Sequence, residues 1–287
     1  MADSSIPVDI FNPGQVFACM GFLEAADVLC GNAEGGFDWS KPEDVQFKLR
    51  SDGSISPIEK TLGFLERADI QQLVPNGYDG KVSDADPPVP TETFPGPKAK
   101  KMALPIRLQD DSGEAIDIDH WTDESSRNPF KLYAGNRSAY SITCDLIQGK
   151  TKNKSLGVRG ILRNCREDLI LRPFDVCTPF GGSFNFDPRG AWTAIDVGYS
   201  PNEHKQKVEL SPVVEILAAW GLQHARPDEH ETRQVHYGVW GALMPPSLAR
   251  PMLAGINDLT IPTRKFKFTL DLSGKNKVVT YATEEVA

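Results

Sequence analysis

The stretch from Asn12 to Ala26 (NPGQVFACMGFLEAA) constrains the fold more than any other part of the chain. Asn12 is a natural N-cap, Pro13 suits the first helical position, and Gln15 stands where a capping-box residue reaches back. A helix from Pro13 to about Leu29 follows, with Val16, Phe17, Met20, Leu23 and Val28 as its apolar positions and Gly31 as its stop. The segment Leu217-Ala218-Ala219-Trp220-Gly221-Leu222 echoes Phe17-Ala18-Cys19-Met20-Gly21-Phe22, each inside a buried helix leading into aromatic-rich strands. Two related α+β halves would produce this echo, and so would chance likeness between two buried helices.

Around this helix the pattern alternates strand and helix. Strands are expected at Ile6–Ile10, Phe37–Trp39 and Val45–Leu49, with Val45, Phe47 and Leu49 inward. A second helix begins at Ser56-Pro57, with Glu59 completing the cap. Further strands fall at Leu104–Leu108 and Ala115–Asp119, joined by a turn at Asp110-Asp111-Ser112-Gly113. A helix spans about Arg137 to Gln148, and strands follow near Arg159–Leu162, Ser183–Phe186 and Ala194–Val197. The remainder reads as a helix at Val213–Ala225, a strand at Gln234–Trp240, a short helix at Ser247–Ile256 and a closing hairpin alternating Phe266, Phe268 and Leu270. The fold class is therefore α+β, with mixed and antiparallel sheets and interspersed helices. Residues 75–103 are rich in Pro and Gly and read as a linker or insertion between modules 1–74 and 104–287.

Composition excludes several classes. No run of about 18 apolar residues exists to span a membrane, and Met1–Ser5 lack the basic and apolar parts of a secretory signal. Five scattered cysteines form no Cys-x-x-Cys pair, which argues against a disulfide framework or zinc knuckle and for a reducing, cytoplasmic setting. The formal charge of −8 opposes sequence-blind nucleic-acid binding. Charge is segregated, however. Lys150, Lys152, Lys154, Arg159, Arg163, Arg166 and Arg172 face only Glu167 and Asp168 within residues 150–172. That run is either a solvated basic loop or a track for a nucleic-acid backbone.

No nucleophile elbow, phosphate loop or dinucleotide fingerprint occurs. His230 and His236 lie six apart rather than four, so a helix would not offer both to zinc. Cys165 lies between Arg163 and Arg166 without an identifiable base. Nothing demands an enzyme, a cofactor or a metal. Anion chemistry is better supplied. Lys131, Asn136, Arg137 and Ser138 border the start of the helix at 137–148, where free backbone N–H groups and cations suit a phosphate, or where Asn136 or Ser138 caps the helix. In Gly181–Trp192, Asn185 and Arg189 are types that hydrogen-bond to bases; Phe184, Phe186 and Trp192 suit either stacking or core.

In order along the chain, NPGQVFACMGFLEAA, GGFDW followed by FKL, KLYAGNRS, SFNFDPRGAWTAIDVGYSP, and VVEILAAWGLQHARP before HYGVW resemble type I-U (I-G) CRISPR Cascade subunits. The likeness is to a small version of the large, PAM-reading subunit family. It implies a non-catalytic member of an RNA-guided DNA surveillance ribonucleoprotein in antiviral defence, partnered by other Cascade subunits, guide RNA and target DNA. On that likeness Lys131, Asn136, Arg137, Ser138, Lys150, Lys152, Lys154, Arg159, Arg163, Asn185 and Arg189 are the candidate nucleic-acid contacts. The competing readings are a metal-independent guide-RNA ribonuclease using His120 or His236 near a lysine, and a purely architectural subunit.

Overall fold

Among the described residues, three α-helices begin with a polar cap followed by proline, and these starts set the framework. In the computed structural model, which describes residues 1–78, 80, 89–91, 100–122, 130–133, 137–150, 155–191, 208–227, 229–256, 260–273 and 276–285, helix α1 spans Pro13–Cys30. The Asn12 side chain accepts the Gln15 N–H at 3.2 Å. The Gln15 side chain does not close a capping box on Asn12; it accepts the Asp9 N–H at 2.8 Å, one turn earlier. Helix α2 (Pro57–Arg67) is capped by Ser56 on the Glu59 N–H, as expected.

The N-terminal sheet is antiparallel with order β1-β3-β2, from β1 (Ala2–Pro7), β2 (Glu34–Asp38) and β3 (Gln46–Ser51). Its first strand begins earlier than the apolar run at 6–10 suggests. After α2 comes a four-stranded sheet of order β5-β4-β6-β7, from β4 (Asp69–Pro75), β5 (Val89–Thr91), β6 (Ile106–Gln109) and β7 (Ala115–Ile118). Pro90 sits in its edge strand, where the missing N–H costs no ladder bond; residues 81–88 and 92–99 of the Pro/Gly-rich segment lie outside the described residues. β6 and β7 form the expected hairpin, with Gly113 at φ 90° and the Asp110 carboxylate accepting the Ser112 N–H.

Helices α3 (Ala139–Gln148), α4 (Val158–Asn164) and α5 (Arg166–Leu171) follow. The strand expected at Arg159–Leu162 is thus helical: Val158, Ile161 and Leu162 are all buried, a three–four spacing that only a helix brings to one face. Ser183–Phe186 is not a strand either, because Asn185 takes a left-handed φ of 68° and breaks the alternation. The strand expected at 194–197 lies outside the described residues. After the short ribbon β8 (Thr178–Pro179) and β9 (Glu209–Leu210) comes α6 (Pro212–His224), capped by Ser211. The last sheet combines β10 (Glu229–Glu231), β11 (Gln234–Trp240), β12 (Thr263–Ser273), β13 (Asn276–Val279) and β14 (Thr283–Glu285), with α7 (Pro246–Leu253) between β11 and β12. β13 and β14 both pair with the long β12. With 34% helix and 30% strand, the protein is α+β.

α1 and α6 form the centre. Every residue of α1 from Pro13 to Ala26 is buried, and so is every residue of α6 from Pro212 to Leu222. A helix apolar on all sides must be surrounded on all sides, and these two surround each other. The two echoing segments meet face to face at their glycines. A Cβ at Gly21 would collide with the Leu217 carbonyl, and one at Gly221 with the Phe17 carbonyl. Each glycine thus rests on the residue four before the other. The echo has a steric cause in this shared backbone contact. Phe17 then meets Phe130 (5.8 Å), Tyr237 (5.9 Å) and Phe268 (6.1 Å) edge-on, carrying the core into the last sheet. The N-terminal sheet joins through Gly35 and Met244, which exchange backbone hydrogen bonds, and through Trp240 Nε1 on the Gly35 carbonyl at 2.8 Å.

Gly21→Ala or Gly221→Ala must separate the two helices, and each is expected to lower unfolding free energy by about 3 kcal/mol or more. Gly63→Ala in α2, whose new methyl would meet only the flexible end of Arg67 at 3.3 Å, is expected to be neutral or to gain up to about 1 kcal/mol. Urea denaturation of the three variants checks both signs.

Candidate nucleic-acid interface

The loop from Gly181 to Gly190 holds Asn185 and Arg189 and is met by Arg137 and Lys150. At its far end lies Asp187, with its side chain fully buried. Its carboxylate accepts from Asn12 Nδ2 (3.3 Å), from the Ser211 N–H (3.0 Å), and from Arg189 through Nε (2.9 Å) and Nη2 (2.7 Å). Buried charges persist when paired and hydrogen-bonded, and this one ties the caps of α1 and α6 to the loop. Beside it, Glu215 of α6 accepts the N–H groups of Phe186 (3.0 Å) and Asp187 (2.8 Å) through Oε1. Its Oε2 is buried with no hydrogen-bond partner among the described residues. Burial, reinforced by the neighbouring Asp187 carboxylate, pushes the Glu215 carboxyl up to about 8. Of the two acids, Asp187 is the one paired with Arg189, and Glu215 holds a proton at neutral pH.

The near end of the loop meets two cations. Arg137 Nη1 donates to the Gly181 carbonyl at 2.9 Å, and Lys150 Nζ donates to the same oxygen at 2.5 Å. Both also pair with Asp145 of α3, Lys150 at 2.9 Å. Gly182, at φ 84°, has no Cβ to strike the Arg137 guanidinium, so the loop lies flat against it. Two cations thus share one carboxylate, leaving a local excess of one positive charge at a half-buried surface. Ser138 is the α3 N-cap, exchanging side chain-to-backbone hydrogen bonds with Ser141 at 3.1 Å each way. Asn136, Lys152 and Lys154 lie outside the described residues.

The other candidates are dispersed. Lys131 donates to the Tyr133 carbonyl at 3.3 Å and stands 4.3 Å over the Tyr133 ring; burial first, and Lys100 second, lower its ammonium from the ordinary lysine value. Arg159 donates to the Ala68 carbonyl at 2.7 Å, closing the C-terminus of α2. Arg163 is exposed on α4 and forms no ion pair among the described residues. Asn185 is held by its turn: its N–H donates to Ser183 Oγ at 3.1 Å and its carbonyl accepts the Val279 N–H at 3.2 Å. Arg189 points inward to Asp187. Phe184 and Phe186 are core: Phe184 stacks on Trp121 at 5.2 Å, and Phe186 lies near His120. His120 is buried, and burial followed by Arg226 pushes its imidazole down to about 3.

Among the described residues no group of three or more His, Cys, Asp or Glu side chains is arranged to hold a metal ion, and no helix is long and apolar enough to cross a membrane. No family model, curated protein or solved structure matches the chain. The residues that sequence reading passed over are Asn12, Asp187 and Glu215 as one network, and Asp145 as the shared partner of Arg137 and Lys150. The available signal was the one acid within the buried stretch of each apolar helix, Glu24 in α1 and Glu215 in α6, which a buried helix retains only against a partner.

The sign of the Glu215 effect follows from its raised value. Between about pH 4.5 and 8 the folded chain holds a proton that the unfolded chain has released, so stability falls as pH rises through that window. The slope approaches about 1.4 kcal/mol per pH unit. Urea midpoints at pH 5.5 and 8.5 are expected to differ markedly for the native chain, and much less for Glu215→Gln, whose amide oxygen keeps the two backbone bonds.

Proposed function

We propose that the chain is a non-catalytic nucleic-acid-binding subunit of a type I CRISPR RNA-guided DNA surveillance complex, of the Cascade kind. The observation that carries this reading is the interlocking of the segments that resemble that family. Asn12 of the first segment reaches Asp187 of the fourth, and Glu215 of the fifth holds the backbone of the fourth. Trp240 of the last reaches Gly35 of the second. Segments that pack together as one scaffold, with their acids and amides turned on one another, suit a binding component better than a site of bond breaking. Large Cascade subunits help recognise duplex DNA beside the guide-paired stretch and hold the opened strands, while pairing to the guide reads the sequence.

Within this reading Arg137 and Lys150 are the cations best placed to meet a phosphate, with Lys131 and Arg163 as exposed or half-exposed auxiliaries. They share one carboxylate, which an incoming phosphate oxygen can replace as their partner. Arg189 and Arg159 act inside the protein, as ties to Asp187 and to the end of α2. The burial of His120 weighs against the ribonuclease reading that would use it as a general acid or base.

A native pull-down of the tagged chain is expected to recover partner subunits and repeat-derived guide RNA in fixed proportion; recovery of the chain alone, free of RNA, would refute the assignment. In the assembled complex, Arg137→Ala with Lys150→Ala is expected to weaken target-DNA binding and reduce the salt slope by about 2. Unchanged isotherms across salt would move the chain to a purely architectural role. Arg189→Ala is expected to act on stability, losing about 3 kcal/mol because buried Asp187 loses its cation.

A further inference from the structure

The two histidines that sequence spacing separates are brought together by the last sheet. His230 lies in β10 at a bulge, where pairing with β11 shifts between Glu229 and Glu231. His236 lies in β11, on the face opposite buried Val235, Tyr237 and Val239. Their ring centres are 4.8 Å apart, with planes inclined at 52°. His236 Nδ1 is 3.0 Å from Oε2 of Glu285 on β14, with β12 between them in the sheet. His230 is exposed and His236 half-buried, so the pair faces solvent.

Two chemistries use paired imidazoles. In acid–base cleavage of a phosphodiester, base and acid stand on opposite sides of the phosphorus, each within about 3 Å of its own oxygen. Rings 4.8 Å apart are too close to admit that group between them. Joint coordination of a metal has a different requirement. With Zn–N bonds of about 2.0–2.1 Å and tetrahedral angles, two imidazole centres fall about 5 Å apart. The observed spacing meets this requirement. Glu285 supplies the second feature of such sites: a carboxylate accepting from Nδ1–H sets the tautomer and leaves Nε2 as the metal-binding lone pair.

We propose that His230 and His236 form a surface site for a divalent transition metal, zinc or nickel by ligand type, with Glu285 orienting His236 from behind. Two protein ligands leave the remaining positions to water or to an oxygen of a bound anion, so this is an open site and not a structural cage. Lys267, in register with His236, disfavours a bare cation nearby and favours one whose open positions carry an anion. Glu229 and Glu231 flank His230 and offset that charge. The proposal stands apart from the Cascade reading and uses none of its residues.

The test is calorimetric titration of the untagged chain with Zn²⁺ at pH 7.5, with Co²⁺ absorption as a second readout because five thiols are present. One equivalent is expected to bind, with a Co²⁺ spectrum free of the thiolate charge-transfer band. His230→Ala and His236→Ala are each expected to weaken binding at least tenfold, and Glu285→Gln about tenfold. Metal-free melting curves of the variants should match the native chain, since these side chains lie on the solvent face. Equal binding by native chain and histidine variants, a thiolate spectrum, or no binding would each overturn the proposal.

Discussion

The backbone contact between α1 and α6 at Gly21 and Gly221 is the constraint on which the remaining structure depends. Two helices that are apolar on every side can approach closely only where side chains are absent, and the glycines place each backbone against a carbonyl of the other. Once the helices cross there, their capped N-termini stand beside one another, and Asp187 can bridge Asn12 and Ser211. The same crossing sets Phe17 among the rings of Phe130, Tyr237 and Phe268. It also carries Glu24 to Arg250 of α7, which grips it with two bonds of 2.7 and 2.8 Å. The polar pairs in this core are positioned by the helix pair, and each is costly to break because one partner is deeply buried.

Much of this was legible in the chain. The polar–proline starts at Asn12 and Ser56 mark true helices, because capping chemistry is local. The alternation at Phe266, Phe268 and Leu270 marks a true strand, because its period is local as well. What local reading cannot supply is the partner of a side chain distant in sequence. Asn185 looks like a strand residue between two phenylalanines until its left-handed turn is seen, and Arg159–Leu162 looks strand-like until Val158, Ile161 and Leu162 face one core together. Arg189 and Asn12 are separated by 177 positions yet meet at the same carboxylate. The pairing of His230 with His236 depends on a hairpin, so a helical spacing rule was the wrong ruler.

The fate of the cations bears on function. A basic run in sequence implies a basic surface only if its charges remain unpaired, and here the structure divides them. Arg159 ends a helix, Arg166 pairs with Glu66, and Arg189 pairs with Asp187. Arg137 and Lys150 retain an excess over Asp145 at the surface, and Arg163 is exposed. For the proposed nucleic-acid-binding role, a net charge of −8 favours contact made alongside other subunits over contact made alone.

The most direct test of this account is a double-mutant cycle on Gly21→Ala and Gly221→Ala, read as unfolding free energies. If both glycines serve one helix contact, the first methyl already separates the helices and the second costs much less. The double variant should then fall short of the summed single losses by about 1 kcal/mol or more. Additivity within about 0.5 kcal/mol would mean that the two glycines act independently, and the helix crossing would no longer be the element that organises the fold.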